Sequence, residues 1–323
     1  QGERRSSDPA TGLSAGPKVG PMTASSATAT VSVIVATNRL SPYLTEALAS
    51  IRAQTFGAVE TILVDDGSPD PQAMADLVGD SVSRLIRTAP AGVSAARNRG
   101  VQTSSGAYLA FLDDDDRWHP DRLARQVAEL GKAPSAVAGY CGLRSIDEAG
   151  AEIAPADQIA IRDRYDIARR RTGILMPNLV VRRAAWEAVG GLDEGLRLAE
   201  DLDLVLRLAA LGPFVFTSGA LVDYRQHSAN TTGRHQSLAG AIEDVLHAHL
   251  SRAQSADDIQ LARAYSDSLR ANDRYAWWAA LRAARRLAKA GRFAAAGAEV
   301  GWAIRFAPLA PLDALGRRLR RRP

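Results

Sequence analysis

Ala107-Tyr-Leu-Ala-Phe-Leu112 runs without a break into Asp113-Asp-Asp-Asp116. An uncharged run with two aromatic rings and no polar alternation predicts a strand covered on both faces, the kind found in parallel sheets flanked by helices. The four aspartates end that strand at its carboxyl side, where open α/β sheets bind their ligands.

Working outward, the same arrangement recurs. Val31-Ser-Val-Ile-Val-Ala36 leads into Thr37-Asn38-Arg39, and Glu60-Thr-Ile-Leu-Val64 stops at the turn formers Asp65-Asp66-Gly67-Ser68-Pro69. Between them, Leu44, Ala47, Leu48 and Ile51 have the spacing of one helix face. Leu85-Ile86 reads as a short strand and Ser94–Gly100 as a helix start. Strands alternating with helices predict an α/β fold with a mainly parallel sheet and right-handed crossovers. The polar clusters 37–39, 65–68 and 113–116 would then share one sheet edge. Further along, the pattern predicts helices over 121–131, 183–189 and 200–211, and strands over 137–143, 179–181, 214–216 and 221–225; residues 145–172 are left unassigned. From about 236 to 307 the chain is rich in Ala, Leu and Arg and reads as helical. Residues 1–30 lack the apolar content to offset ordering entropy and read as disordered, with residues 1–21, ahead of Met22, open to being an added leader. The expected organisation is a disordered segment at 1–30, an α/β body at 31–230 and a helical extension at 231–323.

Composition narrows the class. A chain of 323 residues, 46% hydrophobic and 24% charged, is neither collagen-like nor low-complexity. The one cysteine, Cys141, cannot form an internal bridge, which suits a cytoplasmic setting. No run approaches the roughly 18 apolar residues of a membrane span, and the N-terminus lacks a signal pattern. The net charge of +4 conceals an asymmetry: residues 270–323 hold 13 Lys/Arg and 3 Asp/Glu, a formal +10, leaving −6 for residues 1–269. A basic end points to an anionic partner. Trp277, Trp278, Trp302 and Phe306 lie among Leu and Ala at helical spacing, which favours lipid or internal packing over nucleic acid. The Arg cluster at 317–322 is accordingly read as a peripheral contact with the inner face of an anionic membrane.

Four adjacent carboxylates repel one another and call for a cation. Oxygen donors suit Mg2+ or Mn2+, which bind through one or two carboxylates plus substrate phosphates. The alternative is a solvated acidic turn, against which Trp118 argues. Asp65-Asp66 either holds a nucleobase or ribose or simply makes a turn. Arg97-Asn98 could grip a base or phosphate, or cap a helix. Glu200, Asp201 and Asp203 open a helix, where the macrodipole favours acids; one of them could equally serve as a general base. His227 is either a further metal ligand or a structural histidine. No Ser-His-Asp or Cys-His nucleophile set is evident. G-x-G-x-x-G is missing after the first strand, which disfavours a dehydrogenase.

Five blocks in order resemble the family 2 inverting glycosyltransferases, whose fold is called GT-A. They are VSVIVATNR at 31–39, ETILVDDGSPD at 60–70, GVSAARNRG at 92–100 with GAYLAFLDDDDRW at 106–118, GGLDE at 190–194 with AEDLDLVLRL at 199–208, and YRQH at 224–227. The resemblance covers about residues 31–230. It implies a catalytic domain there that moves a sugar, from a UDP-sugar before other donors, to a hydroxyl of a cell-surface glycan, glycolipid or glycosylated metabolite. It also implies nucleotide contacts at Thr37, Asn38, Asp65, Asp66, Arg97 and Asp113, and Mn2+ or Mg2+ at Asp115 and His227. Asp201 matches the proposed catalytic base, with Asp114, Glu200 and Trp118 on the acceptor or donor-sugar side. Asp114 stands where the family commonly has a small residue, leaving open which carboxylate faces the metal. Two alternatives are a sugar-phosphate nucleotidyltransferase, whose Gly-rich loop is replaced here by Thr37-Asn-Arg-Leu-Ser-Pro42, and a catalytically silent nucleotide-sugar-binding protein, which would have a broken acid set. Asp66, Asp115 and Asp201 are all present.

Overall fold

The computed structural model describes residues 30–227 and 234–311. The expectations for residues 1–29 and for the Arg cluster at 317–322 fall outside the described residues.

The first half builds β1 (Val31–Thr37), α1 (Leu44–Arg52), β2 (Val59–Asp66), α2 (Pro71–Val78), β3 (Arg84–Thr88), α3 (Val93–Gln102) and β4 (Tyr108–Asp113). These strands lie in the order β3-β2-β1-β4, all parallel. Register aligns their polar ends: Thr37 pairs with Asp65, Ala36 with Asp113 and Asp66 with Thr88. The apolar runs are explained by burial on both sides, since Val33, Ile34 and Val35 are each 0% exposed although neighbours point to opposite faces. Ile34, Val64 and Phe111 pack with Ala96 and Val101 of α3; Val33, Val35 and Leu112 pack with Leu44, Leu48 and Ile51 of α1.

The second half adds β5 (Arg117–Trp118), α4 (Arg122–Lys132), β6 (Ala138–Ile146), β7 (Glu152–Ala154), α5 (Arg164–Ala168), β8 (Leu179–Arg182), α6 (Arg183–Val189), α7 (Glu200–Leu211) and β9 (Phe214–Arg225). The sheet continues β4-β8-β6-β9-β5, with β7 beside β6. Its long ladders are parallel, whereas the antiparallel pairings span two or three residues each. The expected mixed α/β sheet, mainly parallel and flanked by helices, is the architecture found.

Two local expectations change. Residues 214–216 and 221–225 belong to one strand, because the register shift at Gly142 bulges Ser218 and Gly219 out of the ladder and pairing resumes at Ala220. Gly219 has φ +100°, and a side chain on Gly142 would collide with the Gly219 carbonyl oxygen. Gly142→Val should therefore destabilise the fold by about 1–3 kcal/mol, read as a lower Tm in thermal unfolding. The unassigned stretch 145–172 holds β7 and α5, of three and five residues, too short to show a period.

Beyond the sheet come α8 (His235–Ser255), α9 (Ile259–Lys289) and α10 (Phe293–Phe306). The α8 helix joins the body: Ile242, Val245 and Leu246 share a core with Leu204 and Leu208 of α7, and His249 Nε2 lies 2.9 Å from Asp203 Oδ1. The α9 helix is held by Asn272, whose amide donates to the Ala239 carbonyl at 2.8 Å, and by an Arg164–Asp258 ion pair at 2.6 Å. Among the described residues no helix is long and apolar enough to cross a membrane.

Candidate active site

A cleft of about 800 Å³ opens at the carboxyl ends of β1, β2 and β4. Its walls include Thr37, Asn38, Asp66, Arg97 and Asp113 to Asp115 on the sheet side, and residues 170–177, Glu200 and Asp201 opposite. Leu238 and Ile242 of α8 complete the lining.

The acidic turn is held by groups that do not themselves enter the cleft. The Arg225 backbone N–H donates to Asp116 Oδ1 at 2.8 Å, its Nε donates to the Asp115 carbonyl at 2.9 Å, and its guanidinium reaches Glu46 at 2.6 Å. This arginine is 2% exposed and lies over the Tyr43 ring. Asp116 is thereby a structural member of the turn, 1% exposed. The other three carboxylates face the cleft. Asp114 accepts from the Thr37 hydroxyl at 2.5 Å, while Asp115 Oδ2 lies 2.9 Å from His227 Nε2 and 3.4 Å from Arg39. Burial, reinforced by the neighbouring Asp113 and Asp114, pushes the Asp115 carboxyl up to about 6. Burial likewise raises Asp114 against the opposing pull of Thr37 and Arg39.

Arg97, buried on α3, ties the two sides together. It donates to Asp113 at 2.5 Å and to Glu200 at 2.9 Å. Burial alone would lower its basicity, but the two carboxylates overcome that and hold it above the usual arginine range. Asn98 on the same helix exchanges hydrogen bonds with the Leu192 backbone, both at 2.9 Å, so the GGLDE block is docked on α3. From there the chain reaches Ala199, which has φ +59° and turns into α7.

Asp201, in the first turn of α7, accepts from the Leu202 N–H at 2.7 Å. Burial, with the Glu200 charge beside it, pushes its carboxyl up to about 7 despite Arg97. A carboxylate titrating near neutrality on a cleft wall has the basicity expected of a general base. Beyond it is Arg170, with φ +53°, which makes no ion pair among the described residues. Its desolvation lowers the guanidinium, and the Asp201 and Tyr275 charges oppose that.

Three expected residues do not line the cleft: Asp65, Trp118 and His227, the last of which touches the cleft residue Asp115. Asp65 points into its own turn, where Ser68 donates to it from N–H at 2.7 Å and from Oγ at 2.9 Å, and Arg87 pairs with it as well. Trp118 is 4% exposed, donates to the Pro177 carbonyl at 3.1 Å and stacks under Arg122. Strand-end position predicted Asp65 and the family resemblance implied Trp118, but alternate residues of a strand point to opposite faces. Asp66 does line the cleft, with its carboxylate accepting from Thr88 and from the Ala91 and Gly92 N–H groups at 2.8–3.1 Å. Sequence reasoning missed Arg39, Arg170 and Arg197 as cleft residues. Arg39 lies two residues after Thr37 in the same strand-end cluster and was legible from that; Arg170 lies in the stretch without period.

The acidic turn has the chemistry for a divalent ion. Its carboxylates are hard oxygen donors, and His227 Nε2, hydrogen-bonded to Asp115 Oδ2 at 2.9 Å, sets a nitrogen donor beside them. Among the described residues no group of three His, Cys, Asp or Glu side chains is placed to hold a metal ion.

The sequence model of glycosyl transferase family 2 matches residues 32–182. An uncharacterized glycosyltransferase of Rickettsia prowazekii is 27% identical over 243 residues, covering 72% of this chain and 74% of that protein. Against three other Rickettsia glycosyltransferases, the match spans only 30–34% of their length. Among solved structures, a mannosyltransferase of Pyrobaculum calidifontis in complex with GDP-Man and Mn2+ gives a TM-score of 0.57 at 18% identity, covering 90% of this chain and 80% of its own. S. aureus TarS 1-349 with UDP-GlcNAc gives 0.54 at 16% identity, covering 84% and 90%. With the sheet topology and five sequence blocks in order, these matches support a glycosyl transferase family 2 domain at residues 32–182, in a body of GT-A fold.

Proposed function

We propose that the chain is a metal-dependent inverting glycosyltransferase that moves a sugar from a UDP-sugar to a hydroxyl acceptor, with residues 31–230 as its catalytic domain. The observation that carries this reading is that Asp115, which His227 touches at 2.9 Å, and Asp201, with its raised basicity, line one cleft. TarS was solved with UDP-GlcNAc and the mannosyltransferase with GDP-Man and Mn2+, which supports a nucleotide diphosphate donor.

On this reading Thr37, Asn38, Asp66, Arg97 and Asp113 position the nucleotide, and Asp115 and His227 hold Mn2+ or Mg2+. The bound ion would neutralise charge on the departing diphosphate. Asp201 accepts the proton of the acceptor hydroxyl as its oxygen bonds to the anomeric carbon. The glycosyl C–O bond breaks on the opposite face, which inverts that carbon and releases the nucleoside diphosphate. One displacement requires no enzyme nucleophile. Glu200 and Asp114 stay on the sugar side, and Arg97 fixes Asp113 and Glu200 relative to each other.

The test is a thermal-shift and hydrolysis panel of UDP-, GDP- and dTDP-sugars with Mn2+, Mg2+ or chelator. A shift with UDP-sugar that chelator abolishes is expected; an equal shift in chelator would overturn metal dependence, and selective stabilisation by another base would overturn the donor.

A further inference from the structure

The α9–α10 hairpin presents a surface that the catalytic reading does not use. Trp278, Arg282, Arg285 and Lys289 are exposed and recur at i, i+4, i+7 and i+11, one face of α9. At the tip and along α10 the exposed side chains are largely apolar: Phe293 is 72% exposed and Ile304 53%, with Gly297 and Ala298 between them. Around them Arg282, Arg285, Arg286, Lys289, Arg292 and Arg305 make no ion pair among the described residues. The one acid within 278–305, Glu299, is taken by His235 and Gln236, each at 3.0 Å.

Soluble surfaces normally intersperse both signs and cover large apolar side chains. Here cations without acids border exposed phenylalanine and isoleucine, the composition of a helix that lies at a lipid interface. We infer that this hairpin docks on an anionic phospholipid bilayer, its cations against the headgroups and Phe293 and Ile304 at the acyl boundary. A second copy of the chain is a poorer occupant, because it would bring two sets of unpaired cations together. The hairpin is coupled to the site: α9 is bonded to α8, whose Leu238 and Ile242 line the cleft. Docking thus holds the cleft-bearing body at the membrane and deepens the proposed function, on which this point rests, by assigning the acceptor hydroxyl to a lipid-linked molecule.

The experiment is cosedimentation of the full chain with vesicles of phosphatidylcholine, alone or mixed with phosphatidylglycerol, at low and high salt. Pelleting with the anionic vesicles, suppressed by salt, is expected. The double variant Phe293→Glu/Ile304→Glu and the triple variant Arg282→Glu/Arg285→Glu/Lys289→Glu should each weaken it at least about tenfold. Hydrolysis of UDP-sugar in solution, assayed in parallel, should be unchanged in both, so a failure of docking is separable from a failure of the enzymatic reading. Equal pelleting with neutral vesicles, wild-type pelleting by both variants, or complete loss of binding on removing residues 312–323 alone would overturn the assignment. So would tighter binding to duplex DNA than to vesicles, or a dimer in light scattering that Phe293→Glu/Ile304→Glu dissolves.

Discussion

Asp201→Asn should lower the rate of sugar transfer by about 10²–10⁴-fold while leaving nucleotide-sugar binding intact. The amide keeps the oxygen that accepts the Leu202 N–H and removes only the basic site, so the fold is expected to hold. The wild-type pH profile carries the sign of the effect. A base must be ionised to act, and the Asp201 carboxyl is held up near 7, so transfer should rise from pH 6 to 8 and then level off. In the variant that limb should vanish and leave a small, flat rate. Steady-state kinetics across that range, with donor binding measured separately, check both points. Equal loss of binding and transfer would remove Asp201 from the role of base.

Asp115→Ala should abolish metal-dependent nucleotide binding. At a donor concentration about a hundred times its Kd, binding contributes about 2.7 kcal/mol to the stability of the native state. In a domain of this size that corresponds to a Tm increase of roughly 5–10 °C, which the variant should lack. The ligand-free variant should be at least as stable as the wild type at pH 7. An aspartate whose carboxyl is raised on folding opposes the native state once it is ionised, and the opposition grows as pH rises from near 4 through about 6. Removing it therefore relieves the cost of burying that charge, and with it the repulsion from Asp113 and Asp114. Differential scanning fluorimetry with and without Mn2+ separates loss of a ligand from loss of the fold, and a persistent Mn2+-dependent shift would place the ion elsewhere.

What could be read from the sequence was what local chemistry imposes. Strand β1 is legible because residues 31–36 are covered on both faces, and the edge they share with β2 and β4 follows from where Asp65 and Asp113 end their runs. The pairing of Asp115 with His227 could not be seen in spacing, since they lie 112 positions apart and are brought together by the β5–β9 ladder and the bonds of Arg225 to the acidic turn. Asp65 and Asp66 show the limit clearly. Both end the same strand, but one turns to Ser68 and Arg87 and the other to the cleft, a choice made by the pleat and by the loop at residues 88–92. Arg170 had no local signal at all, because a left-handed residue after a five-residue helix leaves no pattern. The long helices were legible by composition, whereas their contact with the cleft depended on tertiary packing at Leu238 and Ile242.

The first turn of α7 has its own mechanical meaning. Asp201 looks into the cleft, and two residues later Asp203 looks the other way, bonded to His249 of α8 and to Arg207. A single helix thus carries the carboxylate proposed as the base and an anchor to the rear assembly. Any tilt of that assembly would act as a lever and move Asp201, so on the proposed reading its mounting sets the reach of the proton acceptor as much as the sheet does.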